Sequence, residues 1–195
     1  MTRTVFEKPD VIPLVTEVFR ELGYEGASMS KITARTGLSK GSLYHFFPGG
    51  KDEMASEVLT HIDQWFTRQI FEPLEQSEAQ AAIDQMWQEV DAYFQSGQRI
   101  CLIGAFALDE TRDRFAAAIR QYFVRWIEAF SAALVRTGLS RETADRMSEE
   151  TIAGIQGGLV LSRALHDEAL FGRTLANLKQ RVSACISASD SHPTH

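Results

Sequence analysis

The sequence predicts an all-α fold of about nine helices, a small three-helix head followed by a larger helical domain. Three observations carry that expectation. Apolar residues recur at helical spacing along most of the chain. Glycine, proline and serine fall between the segments so marked, where helices start and stop. No stretch shows the period-two alternation of a strand.

The first helix carries Val11, Ile12, Val15, Phe19 and Leu22 on one face and stops at Gly23. Pro13 lies inside that run. With Asp10 as N-cap it falls in the first turn, where backbone N–H groups have no helical partner. Two short helices follow, near 29–36 and 40–46. A long one runs from Lys51 to about Ile70, with Met54, Val58, Ile62, Trp65 and Phe66 on one face, and Pro73 bars its continuation. Ser77 and Gln80 have capping-box spacing and open a helix with Ile83, Met86, Trp87, Val90, Tyr93 and Phe94, closed by Gly97.

Residues 100–110, ICLIGAFALDE, read as a short apolar helix. Another covers about 112–137, with Phe115, Ile119, Tyr122, Phe123, Trp126, Phe130 and Leu134, and Gly138 ends it. Ser140 caps the next, over about 141–167, and Phe171, Leu175, Leu178, Val182 and Cys185 mark the last. The expected organisation is a head over 1–50, a helical domain over 51–187 and a polar, disordered tail over 188–195.

With 195 residues, 44% of them apolar and 24% charged, the chain can bury a core and has no disorder signature. No apolar run approaches the ~20 residues of a membrane helix, and no basic-then-apolar leader is present, so no membrane and a cytoplasmic location are expected. Cys101 and Cys185 form no CxxC pair, and a structural disulfide is not expected. HExxH, Walker-loop and dinucleotide motifs are all missing. His45, His61, His166, His192 and His195 do not fall at metal-ligand spacing within an element. The expectation is therefore no enzyme, no catalytic residue, no metal and no cofactor.

The net charge of −6 hides an uneven distribution: residues 1–51 carry +2 and the rest −8, and four of the five lysines (Lys8, Lys31, Lys40, Lys51) lie in that first stretch. Affinity for nucleic acid follows local positive potential rather than whole-chain charge. The stretch Ser28–Lys51, SMSKITARTGLSKGSLYHFFPGGK, is the informative one. Ser28 is placed to cap a helix that points Ile32 inward, Gly37 can take the left-handed turn conformation, Leu38 plugs the core, and Ser39 caps the second helix. That is a helix-turn-helix with glycine in the turn.

A helix that enters a major groove needs small residues at its N-terminal end and donors for phosphates and base edges. Lys40, Ser42, Tyr44 and His45 supply donors, and Gly41 permits close approach. Helix starts near 28, 39 and 51 also present free N–H groups to phosphate. For Tyr44 the alternative is a packing aromatic, and for Lys40 a solvated lysine.

The pattern Ile32, Gly37, Ser39-Lys40-Gly41-Ser42-Leu43-Tyr44, Phe47 and Lys51 resembles the tetracycline-repressor-like (TetR) regulators, closely over about residues 10–60. The longer turn Phe47-Pro48-Gly49-Gly50 and the motif over 101–110 are similar to the lincomycin-resistance-repressor-like (LmrA/YxaF) branch. Thr33 and Thr36 stand where the family usually has alanine, and Phe46 where it often has His or Tyr, which puts a phosphate contact there in doubt.

The resemblance implies a regulator of transcription. Ser28, Ser39, Tyr44 and Lys51 would touch phosphates; Lys40, Gly41, Ser42 and His45 would lie at or near base edges; Leu38 and Leu43 would be core. It further implies a homodimer on palindromic operator DNA, repressing until a small inducer binds between C-terminal helices. A constitutive regulator or an activator of the same fold is the alternative. Trp65, Trp87, Phe94, Phe106 and Trp126, on inward helix faces, are candidate pocket liners, with Cys101 and Gln156 as polar or polarizable ones. Aromatics at that spacing also serve as plain core. Three glycines in Gly154–Leu161 are costly for a helix, about 1 kcal/mol each against alanine, and close helix approach is the obvious compensation. With the family's interface formed by its last two helices, Gly154, Gly158, Leu159, Leu178 and Val182 are the expected dimer contacts; a glycine-softened bend is the alternative.

Overall fold

A computed structural model describes residues 6–190, which are helical nearly throughout and contain no strand. The helices are α1 (Lys8–Gly26), α2 (Met29–Thr36), α3 (Lys40–Phe46), α4 (Lys51–Phe66), α5 (Ala79–Tyr93), α6 (Leu102–Leu108), α7 (Ala116–Arg136), α8 (Arg141–Leu165) and α9 (Glu168–Asp190). α4 is prolonged by a π turn, Thr67–Phe71, and a last helical stretch, Glu72–Gln76; short 3-10 turns cover Gln95–Gly97 and Glu110–Asp113. With that prolongation counted as part of α4, the described residues hold nine helices, the number the sequence predicts. None is long and apolar enough to cross a membrane.

Several helix ends differ from expectation, each for a local reason. α1 starts at Lys8, not after Asp10. Asp10 is its third residue and reaches back to accept the N–H of Glu7 at 2.9 Å. Pro9 therefore takes the first-turn position, and Pro13 sits within the helix. Gly23, at φ +68°, does break the regular helix, after which the chain makes one more turn to Gly26. Pro73 does not bar continuation, because the π turn carries the helix past it; the N–H of Glu72 reaches Thr67 O. The cap of α5 is Glu78, not Ser77: its carboxylate accepts from the N–H groups of Gln80 at 2.9 Å and Ala81 at 2.7 Å. α9 runs to Asp190, so the expected tail begins inside it, while 191–195 lie outside the described residues.

The chain divides into two compact units. One holds the residues up to Gln64 together with Leu102–Ile119; the other holds Trp65–Cys101 and the residues from Arg120 onward. The first thus takes in a segment that a boundary at residue 50 leaves out. The reason is aromatic packing: Phe106 and Phe115 sit with their ring centroids 5.8 and 5.7 Å from that of Tyr24. Phe19, Ile32, Leu43, Phe47 and Met54 complete that core without solvent exposure. In the second unit Phe66, Phe71, Phe94, Trp126, Phe130 and Phe171 are fully buried.

Candidate nucleic-acid interface

The helix-turn-helix forms as its capping residues dictate. Ser28 accepts the Lys31 N–H at 3.4 Å and Ser39 the Ser42 N–H at 3.0 Å, which satisfies one orphan donor at each helix start. Gly37 closes α2 at φ +71°, a left-handed conformation that a β-carbon would strain. Ile32, Leu38 and Leu43 are buried and fix α2 and α3 on the core. The opposite side of α3 faces outward: Ser39, Lys40, Gly41, Tyr44 and His45 are exposed, and Ser42 is half-buried beneath a 2.9 Å contact between its hydroxyl and that of Ser39. Tyr44, 42% exposed, is not a core aromatic.

Their partners separate the four lysines among the first 51 residues. Lys8 is bound to Glu53 and Glu57 at 3.3 and 2.6 Å. Lys31 donates to the carbonyl of Gly26 and Lys51 to that of Tyr24, each at 3.1 Å. Lys40 has no acidic partner among the described residues; its ammonium lies 5.9 Å from the Tyr44 ring centroid. It is thus the lysine most available to phosphate or a base edge. Lys51 is more engaged than expected, since its ammonium also sits 4.1 Å from the Tyr24 ring centroid.

Tyr24 is the hub that sequence reasoning missed. It is buried, and its hydroxyl donates to Asp52. Arg114 Nη1 donates to the Tyr24 hydroxyl at 2.8 Å and to Asp52 Oδ1 at 2.7 Å. Burial, then the Asp52 hydrogen bond and charge, push the Tyr24 hydroxyl up to about 12. The Tyr24 hydrogen bond, aided by the charge of Arg114, holds the Asp52 carboxyl below its ordinary value. Nothing in the spacing of these three residues marks them as neighbours.

The expected pocket liners do not form one group. Trp126 packs against Phe66 and Tyr122 with ring centroids 5.2 and 5.8 Å away, and Trp65 lies 4.5 Å from Tyr93. Phe94 joins Phe66 at 6.2 Å, and Trp87 meets Phe130 at 6.0 Å. Phe106 belongs to the first unit, beside Tyr24 and Phe115, and Cys101 is buried. Trp126 Nε1 and Gln156 Nε2 are buried N–H donors without an acceptor among the described residues. No cluster of His, Cys, Asp and Glu suited to a metal occurs among the described residues.

The five residues expected at a dimer contact each meet or are buried by their own chain. A β-carbon on Gly154 would stand 3.0 Å from Leu178 Cδ1, and one on Gly158 would stand 3.1 Å from Thr174 Cγ2. The two glycines let α8 approach α9, and Leu159, Leu178 and Val182 are buried there. The outward side of α8 carries other residues: Val160, Leu161 and Leu165 are 59%, 50% and 63% exposed, and a β-carbon on Gly157 would meet nothing.

Comparison with known proteins adds independent findings. Residues 16–58 match the family model described as bacterial regulatory proteins, tetR family, and residues 77–176 match the model for the C-terminal domain of LmrA/YxaF-like transcriptional regulators. The chain is 26% identical over 157 residues to the HTH-type transcriptional regulator LmrA of Bacillus subtilis (strain 168), covering 78% of this chain and 84% of that protein. It is 28% identical over 158 residues to the HTH-type transcriptional repressor DhaR of Mycobacterium sp. (strain GP1), covering 74% and 76%. The fold is similar, at a TM-score of 0.70 and 22% identity over 95% of this chain and 100% of the other, to the TetR family regulator CifR, solved as a cysteine mutant complexed with 26-bp double-strand operator DNA.

Proposed function

The chain belongs to the tetR family of bacterial regulatory proteins, with an LmrA/YxaF-like C-terminal domain, and from that premise we propose that this DNA-binding transcriptional regulator is a cytoplasmic repressor that grips a palindromic operator as a homodimer and is released by a small hydrophobic or amphipathic ligand. The observation that carries the DNA part is the outward face of α3. Its one lysine lacks an acidic partner, glycine follows it, and donors at Ser42, Tyr44 and His45 surround it. The operator complex of CifR and the name of DhaR support operator binding and repression.

Two further observations support the finer points. Buried polar atoms are normally paired, and Trp126 Nε1 and Gln156 Nε2 are left for a ligand that brings acceptors. Exposed Val160, Leu161 and Leu165 give α8 an apolar outward face that a second copy would cover. The mechanism is a population shift: ligand favours a form in which the two α3 helices no longer match successive major grooves.

Selection of bound duplexes from random DNA tests the reading. A palindrome is expected, since a two-fold protein reads two half-sites about one helical turn apart. A single non-repeated site would sink the dimer, and failure to retain any duplex would sink DNA binding. If no small molecule ever weakened binding, the inducible part would fall and a constitutive regulator would remain.

A further inference from the structure

Three stretches far apart in sequence meet at one hydroxyl. Tyr24 stands near the end of α1, Asp52 is the second residue of α4, and Arg114 lies between the 3-10 turn Glu110–Asp113 and α7. A single guanidinium nitrogen donates to both Tyr24 and Asp52. Other polar ties between α1 and α4, Lys8 to Glu53 and Glu57 and Lys51 to the Tyr24 carbonyl and to Glu25, come from within the first 64 residues. Arg114 alone among these ties comes from the region that matches the LmrA/YxaF-like C-terminal domain, residues 77–176.

The position of Asp52 gives that contact its reach. α3 ends at Phe46 and α4 begins at Lys51, and little slack separates them. Phe47 is fully buried, the Gly50 N–H closes the turn on Phe47 O at 2.9 Å, and a β-carbon on Gly50 would touch Tyr44 Cε1 at 3.5 Å. A displaced first turn of α4 therefore displaces α3. The ion pair itself is too exposed to matter much for stability, its two side chains being 52% and 56% accessible. Its consequence is geometric.

We propose that Arg114 is a positioning residue for DNA binding, which holds Tyr24 and Asp52 together so that α4 starts where α3 can lie in the groove. The proposal rests on the DNA-binding reading of α3 and deepens it: DNA affinity becomes dependent on a residue of the 102–119 segment that packs into the same unit as the head, one that does not touch DNA itself. A residue that binds phosphate directly changes the salt dependence of affinity; a residue that positions others does not.

The experiment uses the full-length protein and a fluorescent duplex recovered by selection with the wild type, with affinity measured across a salt series. Arg114→Gln is expected to weaken binding by up to about fivefold, the ceiling for an exposed ion pair, with the salt slope unchanged and thermal unfolding nearly unmoved. Tyr24→Phe, which keeps the ring, is expected to weaken binding as well. The double variant is expected to be no worse than Arg114→Gln, because both remove one shared arrangement. Arg114→Lys is expected to restore most of the affinity. Unchanged affinity in Arg114→Gln overturns the proposal, as does a salt slope reduced by about one or full additivity of the two substitutions. Should Arg114→Gln fail to fold, wild-type affinity in Tyr24→Phe overturns it. A wild-type protein that retains no duplex overturns the DNA-binding reading together with this one, whereas wild-type binding with indifferent variants removes this one alone.

Discussion

Gln85 Nε2 donates to the backbone carbonyl of Gln69 at 3.2 Å, the carbonyl four residues before Pro73. In an unbroken α-helix residue 73 would donate to that carbonyl, but proline has no N–H. The π turn steers the chain past the ring, and a side chain from α5 supplies a donor.

Gln85→Leu is therefore expected to destabilise the protein by about 1–2 kcal/mol, the usual result of leaving a partly buried acceptor without its donor. Urea unfolding checks it. Pro73→Ala in the Gln85→Leu background is expected to recover part of the loss, because alanine can donate for itself. No recovery would mean that the Gln85 bond serves α5 packing and not the proline.

Lys40→Ala is expected to lower affinity for the selected duplex by roughly 1–3 kcal/mol and to relax preference at one base position if Lys40 reaches a base edge. If it reaches phosphate, the loss is instead uniform across sequences and the salt slope falls by about one. Tyr44→Phe keeps the ring near Lys40, so any loss reports the hydroxyl alone. Binding measured against a set of single-base variants distinguishes these outcomes, and wild-type affinity in both variants would mean that α3 is not the reading helix.

The head was legible because its signals are local. A serine cap, a left-handed glycine and an inward isoleucine each act within one turn of helix, and Ser28, Gly37, Ser39 and Ile32 stand as the spacing implied. Where the reading missed, a longer-range partner decided. Pro73 is tolerated through a π turn and Gln85, and Glu78 outcompetes Ser77 by gripping two N–H groups. At Gly154 and Gly158 the close neighbours seen are Leu178 and Thr174 of α9 in the same chain. Composition cannot say which neighbour a small residue admits. Tyr24 and Arg114 carry no local signature at all, since their relation exists only after α1, α4 and the 102–119 segment have packed.

The two sides of α8 give a contrast that separates fold from assembly. Leu178→Ala removes a buried side chain that touches the Gly154 position and is expected to cost about 2–5 kcal/mol of stability. Leu161→Asp alters a half-exposed residue and is expected to leave the unfolding free energy of the subunit nearly unchanged while breaking the proposed dimer. Sedimentation velocity over a concentration range checks the second outcome. A Leu161→Asp protein that sediments like the wild type would place the subunit contact elsewhere.

Tyr24 makes the fold sensitive to alkali in a direction that can be worked out. Its hydroxyl ionises near 12 in the folded protein against 10.0 ordinarily, so between those values the unfolded chain releases a proton that the fold retains. Below pH 10 the contribution of this group, on the order of 2–3 kcal/mol, is fully present, and as pH rises from 10 to 12 it is progressively lost. Tyr24→Phe removes the ionisation, so the variant is expected to lose less stability across that interval than the wild type. The phenolate absorbance titration of the wild type minus that of the variant isolates the one hydroxyl. A step near 12 is expected; a step at the ordinary value, with identical alkaline slopes in unfolding, would mean that Tyr24 is neither buried nor held by Asp52 in solution.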